Sequence, residues 1–443
     1  MENFKDRIAH GITRRDFVKR SALTAGAGLM AASLPVGASA FAAGNDELKV
    51  ALVGCGGRGT GAANQALIAD DGTRLVAMAD AFRDRIDSSY QNLSNRWGES
   101  GRLDVPEERK FSGFNAYKDA IDLADVVILT TPPGFAPKHF EYAIQQGKHV
   151  FMEKPVATDV PGVRRVLEAG RLAKEKNLNV VVGLQRRYQN RYLDVLKRIQ
   201  AGDVGRLISG QVYWNDGGVW VNERQPGQAE MDYQMRNWYY FTWLCGDHIV
   251  EQHIHNIDVA NWFIGDYPVS AQGMGGREVR TGKDHGEIFD HHFVEFTYPN
   301  GQVIAAQCRH QPNTFARVDE FFQFTEGTVH AGRGVIRNWA GSSLYEHDES
   351  NDPNPYQVEH DVLFEAIRTG GEVNDSEIGA KATLSAIMGR MATYSGQVIT
   401  WEAALNSNIV LVPDLLDWDM NPPVMPDENG RYPVAVPGVT QVI

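Results

Sequence analysis

Cysteine is scarce: the 443 residues hold three. Three thiols cannot form a paired framework, so disulfide-stapled classes are excluded and the fold has to stand on an apolar core. Cys55 lies inside a glycine-rich turn and reads as a small side chain. Cys245 and Cys308 are then the one pair open to bridging, and an oxidising compartment would permit that bond without requiring it. Positive charge is short as well, with 43 Lys and Arg against 56 Asp and Glu, a net −13. Such a surface repels nucleic acid and anionic lipid, so neither is expected as a partner. Long apolar runs, internal repeats and low-complexity tracts are missing, which argues against a membrane bundle and against a solenoid.

What is present begins with a leader. Thr13-Arg14-Arg15-Asp16-Phe17-Val18-Lys19 is a twin-arginine pattern, followed by a small-residue apolar stretch from Ala22 to about Val36 and by Ala38-Ser39-Ala40. The stretch is shorter than the ~20 residues a membrane span needs. Residues 1–42 are therefore expected to be an export signal, cut near Ala40 or Ala42, with no membrane contact afterwards. The expected partner is the twin-arginine machinery and the expected location is the periplasm or beyond. Without these residues the chain keeps 37 basic and 53 acidic side chains, a net −16. That route carries folded passengers, which suits a protein that takes up a cytoplasmic cofactor before export.

The strongest signal follows. Lys49-Val-Ala-Leu-Val runs into Gly54-Cys55-Gly56-Gly57-Arg58-Gly59, a G-x-G-x-x-G turn with a small-residue helix start behind it. The first glycine permits the turn, the second lets a pyrophosphate approach the backbone, and the third lets helix pack on strand. Open amides at the helix start then face the phosphates. A second strand, Arg74–Asp80, ends in an acid placed to bond the adenosine ribose hydroxyls and to repel a 2′-phosphate. NAD is the expected cofactor; Arg83 and Arg85 lie close by and keep NADP open.

From Leu48 to about Gln185, strand-like runs alternate with helical patterns, the signature of a parallel sheet wound with helices. After Gln185 the strand-like stretches Leu207–Trp214, His292–Tyr298 and Gln302–Cys308 are separated by turns such as Pro299-Asn300-Gly301, which indicates an antiparallel sheet. The expected class is α/β: an N-terminal Rossmann sheet and a second α+β domain on a mostly antiparallel sheet. The boundaries fall at 1–42 for the signal, 43–185 for the Rossmann domain, 186–405 for the substrate and oligomerisation domain, and 406–443 for a tail. The tail holds Pro413, Pro422, Pro423, Pro426, Pro433 and Pro437, and is expected to wrap a surface or a neighbouring subunit.

Glu153-Lys154-Pro155 sits just past the strand His149–Phe151, at the sheet edge where a nicotinamide would lie. A desolvated lysine there could hold or pass on a hydroxyl proton. Thr131-Pro132-Pro133 with His139, Gly147-Lys148-His149-Val150, Glu153-Lys154-Pro155, Gly202-Asp203-Val204-Gly205 and a later His-x-x-Asp follow one another in the order seen in the Gfo/Idh/MocA oxidoreductases, which the chain resembles over essentially its whole mature length. The resemblance implies that Thr131, Pro132, His139 and Glu153 belong with the glycines, Arg58 and Asp80 at the cofactor. It also implies that Lys154 works with a histidine and an acid one helical turn apart. Here these are His255, the acid/base, and Glu251, which orients or binds substrate, with Asp258 one turn further on as a substrate-binding candidate. Glutamate replaces the family's usual aspartate, and the usual glycine before the histidine is missing.

His248, His253 and Asp290-His291-His292 crowd the same region, but no fixed-spacing metal motif is present and no metal is expected. Between Tyr213 and Trp243, nine residues are aromatic, among them four of the chain's nine tryptophans. Trp214 and Trp238 are candidate platforms for a sugar ring, with Asn215, Asp216, Arg236 and Asn237 as hydroxyl partners; an aromatic core or a subunit contact is the equal alternative. In Gln185-Arg186-Arg187-Tyr188, Arg187 and Tyr188 are the substrate candidates by resemblance. The expected function is an exported, oligomeric oxidoreductase passing hydride between a tightly held NAD and a sugar, polyol or glycoside. The alternatives are a redox-neutral glycosidase that oxidises C3 transiently, and a carbohydrate-binding protein on a decayed dehydrogenase fold; retention of Lys154, Glu251 and His255 argues against the last.

Overall fold

The computed structural model describes residues 47–443; the export signal read at 1–42 lies outside them. In strand β1 (Leu48–Val53) every residue but Lys49 is buried, and a strand buried on both faces must be covered by helices on both sides. Strands β2 (Thr73–Asp80), β3 (Lys110–Ser112), β4 (Val126–Leu129), β5 (His149–Met152) and β6 (Val180–Val182) join it in a parallel sheet of order β3-β2-β1-β4-β5-β6. The period of two sorts the side chains. Val50 and Leu52 face one layer of helices, and Ala51 and Val53 the other. Helices Gly57–Ala69 and Arg83–Trp97 cover the first face, and Ala116–Asp122, Ala136–Gln145 and Val160–Glu175 the second.

The first face has one more cover that the boundary at 185 does not foresee. Helix Pro355–Thr369 returns from the far end of the chain and buries Leu363, Phe364 and Ile367 against the core of β1. Arg368 clamps Asp70 with two bonds of 2.8 Å. Burial decides this placement: the helix has an apolar stripe and the sheet has an open flank.

The second sheet is built from β7 (Leu207–Asp216), β8 (Ser270–Gly276), β9 (His291–Thr297), β10 (Val303–His310), β11 (Arg317–Phe324), β12 (Gly327–His330), β13 (Val335–Asn338), β14 (Ser343–Glu346) and β15 (Ile399–Thr400). Its order is β14-β13-β12-β11-β7-β10-β9-β8-β15, antiparallel throughout except where β10 pairs with β7. Pro299-Asn300-Gly301 makes the β9–β10 turn as its sequence requires, with Gly301 at φ +80°. Strands β9 and β10 alternate buried and part-exposed residues, so one face packs on helices Ile254–Ile264 and Ser376–Ser395 and the other looks outward. Helix Ser376–Ser395 is apolar or small almost all round and lies between this sheet and the Rossmann helix Val160–Glu175.

The tail crosses its own chain. Trp418 packs on Phe82 and Phe114 at 5.1 and 4.6 Å between ring centres, and Leu411 N–H donates to Asp159 at 2.8 Å. All three cysteines are buried and free, so Cys245 and Cys308 do not bridge. Among the described residues no helix is long and apolar enough to cross a membrane.

Candidate active site

The carboxyl ends of β1, β2, β4 and β5 open on a cleft of about 730 Å³ that continues into the second domain. Gly54 takes φ +97°, and a Cβ there would meet the Thr130 carbonyl carbon at 2.6 Å. A Cβ on Gly59 would meet the Gly54 carbonyl oxygen at 2.0 Å. These two glycines let strand and helix close on each other. Gly56 and Gly57 differ: a Cβ on either would meet nothing within 4 Å, and both line the cleft with Arg58. No side chain caps the helix Gly57–Ala69, so its first amides and the positive end of its dipole are left for an anion. The turn fits a pyrophosphate.

Asp80 ends β2 at the same edge. One carboxylate oxygen accepts from Cys55 N–H at 2.6 Å and the other from Phe82 N–H at 2.9 Å. Burial raises its pKa from the ordinary carboxylate value. Arg85 also lines the cleft, whereas Arg83 is engaged by Asp87 and Glu107. Thr131 and Pro132 follow β4 into the cleft. The Thr131 hydroxyl bonds His139 Nδ1 at 3.2 Å, and His139 stacks on Tyr117 at 4.1 Å. Burial lowers the His139 pKa to about 3, so it is a neutral ring.

From the turn, Arg58 reaches toward the other end: it donates Nε–H to Glu153, bonds Gln65 at 2.8 Å and lies over the Tyr356 ring at 5.0 Å. Lys154 Nζ donates to the Glu251 carbonyl at 2.6 Å and to its carboxylate at 3.0 Å. The lysine thus has an ionic partner in the cleft. His255 is buried beside this pair, with Trp214 stacked at 6.0 Å. Burial, then the Lys154 charge, hold its pKa well below the usual histidine value. Its Nδ1 has no hydrogen-bond partner. A neutral imidazole next to an ammonium–carboxylate pair is equipped to accept a proton from a hydroxyl held between them.

The chain around it departs from one regular helix. Helix His248–Glu251 stops, Gln252 and His253 form a turn, and helix Ile254–Ile264 begins. Glu251 and His255 still meet in the cleft, but Asp258 turns away. Arg187 clamps Asp258 with two bonds of 2.8 Å, and Tyr188 donates its hydroxyl proton to Asp375. None of the three lines the cleft. Arg187, Tyr188 and Asp258, read as substrate contacts, instead tie the end of the Rossmann domain to the second domain. An arginine and an aspartate both removed from water need each other more than either needs a ligand.

The aromatic stretch divides in the same way. Tyr233, Tyr239, Tyr240, Phe241 and Trp243 are core, whereas Trp214, Trp220 and Trp238 line the cleft with Asn222 and Arg236. Arg236 is braced by Asp84 at 3.1 Å; Asn215 and Asn237 are buried. Tyr356, Gln185 and Gln252 also line the cleft. Nothing local in the sequence marks Tyr356, which arrives with the returning helix. Away from the cleft, Asp247, His248 and His292 converge, all buried; His291 pairs with Asp290 at 2.7 Å and His253 contacts Asn256 at 3.3 Å.

Residues 48–184 match the oxidoreductase family with an NAD-binding Rossmann fold, and residues 192–329 match the GFO/IDH/MocA C-terminal domain. Among curated relatives, inositol 2-dehydrogenase 3 of Saccharopolyspora erythraea is 30% identical over 53% of this chain and 58% of its own length. A glycosyl hydrolase family 109 protein of Shewanella pealeana is 25% identical over 51% of this chain and 50% of its own length. The chain thus spans about half the length of the curated relatives it matches. The structure of scyllo-inositol dehydrogenase from Lactobacillus casei with bound NAD(H) and scyllo-inositol superposes with a TM-score of 0.60 at 17% identity, covering 81% of this chain and all of that one, which shows a common fold. With an NAD-binding Rossmann domain, the family's C-terminal domain and a cleft that joins them, the chain belongs to the Gfo/Idh/MocA oxidoreductases.

Proposed function

We propose that the protein oxidises and reduces a ring alcohol, an inositol-like polyol or a sugar, with NAD as the hydride carrier. The observation that carries the reading is His255, kept neutral beside the Lys154–Glu251 pair, in the same cleft as the glycine turn. Bound NAD would supply the hydride acceptor at the carbinol carbon. His255 takes the proton of the hydroxyl being oxidised. The Lys154 ammonium, held by Glu251, donates a hydrogen bond to the same oxygen and offsets the charge that grows on it. Trp214 and Trp238 offer ring faces to the C–H side of the substrate. Asp80 favours NAD over NADP by repelling a 2′-phosphate. The names of the relatives, inositol dehydrogenases among them, support the polyol class.

The similarity to a family 109 glycosyl hydrolase supports a second reading, in which oxidation is transient and the aglycone is eliminated. The twin-arginine pattern at Arg14-Arg15 supports export of the folded protein with its cofactor retained through both half-reactions. The part-exposed outer face of the second sheet supports self-association. One experiment separates the readings: NAD titration of the purified chain, then inositols, hexoses and nitrophenyl glycosides followed at 340 nm and for released nitrophenol. Reduction of NAD by a ring alcohol supports the dehydrogenase. Nitrophenol release without net NADH supports the glycosidase, and failure to bind NAD overturns both.

A further inference from the structure

Behind the cleft wall lies a second constellation that the proton-transfer chemistry does not use. Asp247, His248 and His292 are all fully buried, and one ligand atom from each lies within 4.8 Å of the others. His292 Nε2 is 3.3 Å from Asp247 Oδ1, and His248 Nε2 is 3.9 Å from that same oxygen. Ligands at about 2.1 Å on a tetrahedral zinc stand about 3.4 Å apart. The His292–Asp247 pair stands at that spacing, and His248 lies about half an ångström further out.

The hydrogen bonds around them fix what each atom can offer. His292 Nδ1 lies 2.9 Å from the Thr393 hydroxyl, whose single proton is directed to the helix carbonyls of Gly389 and Arg390 at 3.2 and 3.0 Å. In the tautomer where the hydroxyl keeps its proton on those carbonyls and accepts from His292, Nδ1 carries the ring proton and Nε2 turns its lone pair toward Asp247. Asp247 Oδ2 accepts from the Tyr394 hydroxyl at 2.6 Å and from Phe289 N–H at 3.0 Å, which favours the ionised carboxylate. Within 4.0 Å its ion-pair partners among the described residues are His248 and His292 alone. In that tautomer a lone pair faces a carboxylate across 3.3 Å, a gap that a proton or a metal cation fills.

A proton would serve that pair, but it would leave His248 unexplained. Both His248 ring nitrogens are buried and without a partner, so its ring donor and its ring acceptor both go unmet. A proton joins two atoms; the geometry here joins three. The backbone adds an independent sign. Asp247 takes φ 76° and ψ 158°, a region almost reserved for glycine, and such conformations collect at ligand clamps.

We propose that Asp247 Oδ1, His248 Nε2 and His292 Nε2 form a binding site for one transition-metal dication of the zinc class, with water completing the coordination. Two imidazoles and a carboxylate suit zinc and not calcium or magnesium, which take oxygen ligands. Thr393 and Tyr394 hold the ligands in orientation, as outer-shell partners of metal sites do. The ion pins the first residue of the short helix whose last residue, Glu251, holds Lys154. His310 stacks on His248 at 4.3 Å and bonds Gln252, a cleft residue, at 2.6 Å. The site is thus a positioning device one side chain behind the cleft.

The test uses the full chain without an affinity tag, incubated with zinc chloride, desalted, and assayed by plasma mass spectrometry and by anomalous scattering at the zinc edge. The expected result is close to one zinc per chain and one anomalous peak among the three side chains. Thr393→Val should weaken zinc binding roughly 10–100-fold with the fold intact by circular dichroism, and His292→Ala should abolish it. Folded, NAD-binding protein that retains no zinc would overturn the proposal. So would a peak elsewhere, or zinc retention unchanged in Thr393→Val and His292→Ala. Should His292→Ala fail to fold, Thr393→Val and the anomalous map decide the matter.

Discussion

The two ends of the cleft are built on different terms. The phosphate end is six consecutive residues, Gly54 to Gly59, and its working groups are backbone amides. The proton-transfer end is assembled from Lys154, Trp214, Glu251 and His255, and its working groups are side chains whose chemistry comes from burial. At the first end an added methyl group is the threat. At the second it is an unpaired charge or a misplaced ring. A local site depends on turn geometry; a dispersed one depends on how firmly the two domains are tied together.

The largest expected effect falls on that tie. Asp258→Asn leaves Arg187 buried without its carboxylate and should lower stability by about 3–5 kcal/mol in a denaturant titration. KM for the ring alcohol should stay unchanged in the folded fraction, because neither residue lines the cleft. A large rise in KM with normal stability would return Arg187 and Asp258 to the substrate.

The glycines come next. Gly59→Ala forces a methyl onto the Gly54 carbonyl at 2.0 Å and should lower stability by about 1–3 kcal/mol. Gly56→Ala, whose Cβ meets nothing, should leave the melting curve in place and weaken NAD binding. Equal effects of the two variants on stability would erase the distinction between closing and cradling glycines.

The smallest effect is a pH dependence. Burial holds His139 neutral in the fold with a pKa of about 3, whereas the unfolded chain titrates near 6.5. The unfolded state therefore binds the extra proton, and stability is constant above pH 6.5 and falls as pH drops below it. His139→Phe should remove about 1 kcal/mol of the loss seen between pH 7 and 5.5. An identical slope in wild type and variant would show that His139 takes up its proton in the fold as readily as in the unfolded chain.

Much of the first end was legible in the sequence and less of the second. Strand, glycine turn, helix and Asp80 are contiguous or a fixed step apart, and their chemistry follows from spacing. Lys154, Glu251 and His255 were placed through resemblance, and the structure brings them together. Arg187, Tyr188 and Asp258 lie away from the cleft: neither a matching segment nor helical spacing says whether a polar side chain faces a ligand or another domain. The break at Gln252 and His253 also bends the chain away from an i, i+4, i+7 face. The approach of His292 to Asp247 depends on how β9 sits beside the helix that begins at His248, and no periodicity encodes that. Tyr356 reaches the cleft only because helix Pro355–Thr369 covers the Rossmann sheet.

Single-turnover reduction of NAD at 340 nm in His255→Asn, at saturating NAD and ring alcohol, tests the separation of the two ends most directly. With His255 as the base, the rate should fall roughly 10²–10⁴-fold while the NAD dissociation constant stays unchanged. Hydride transfer at the wild-type rate in that variant would contradict it.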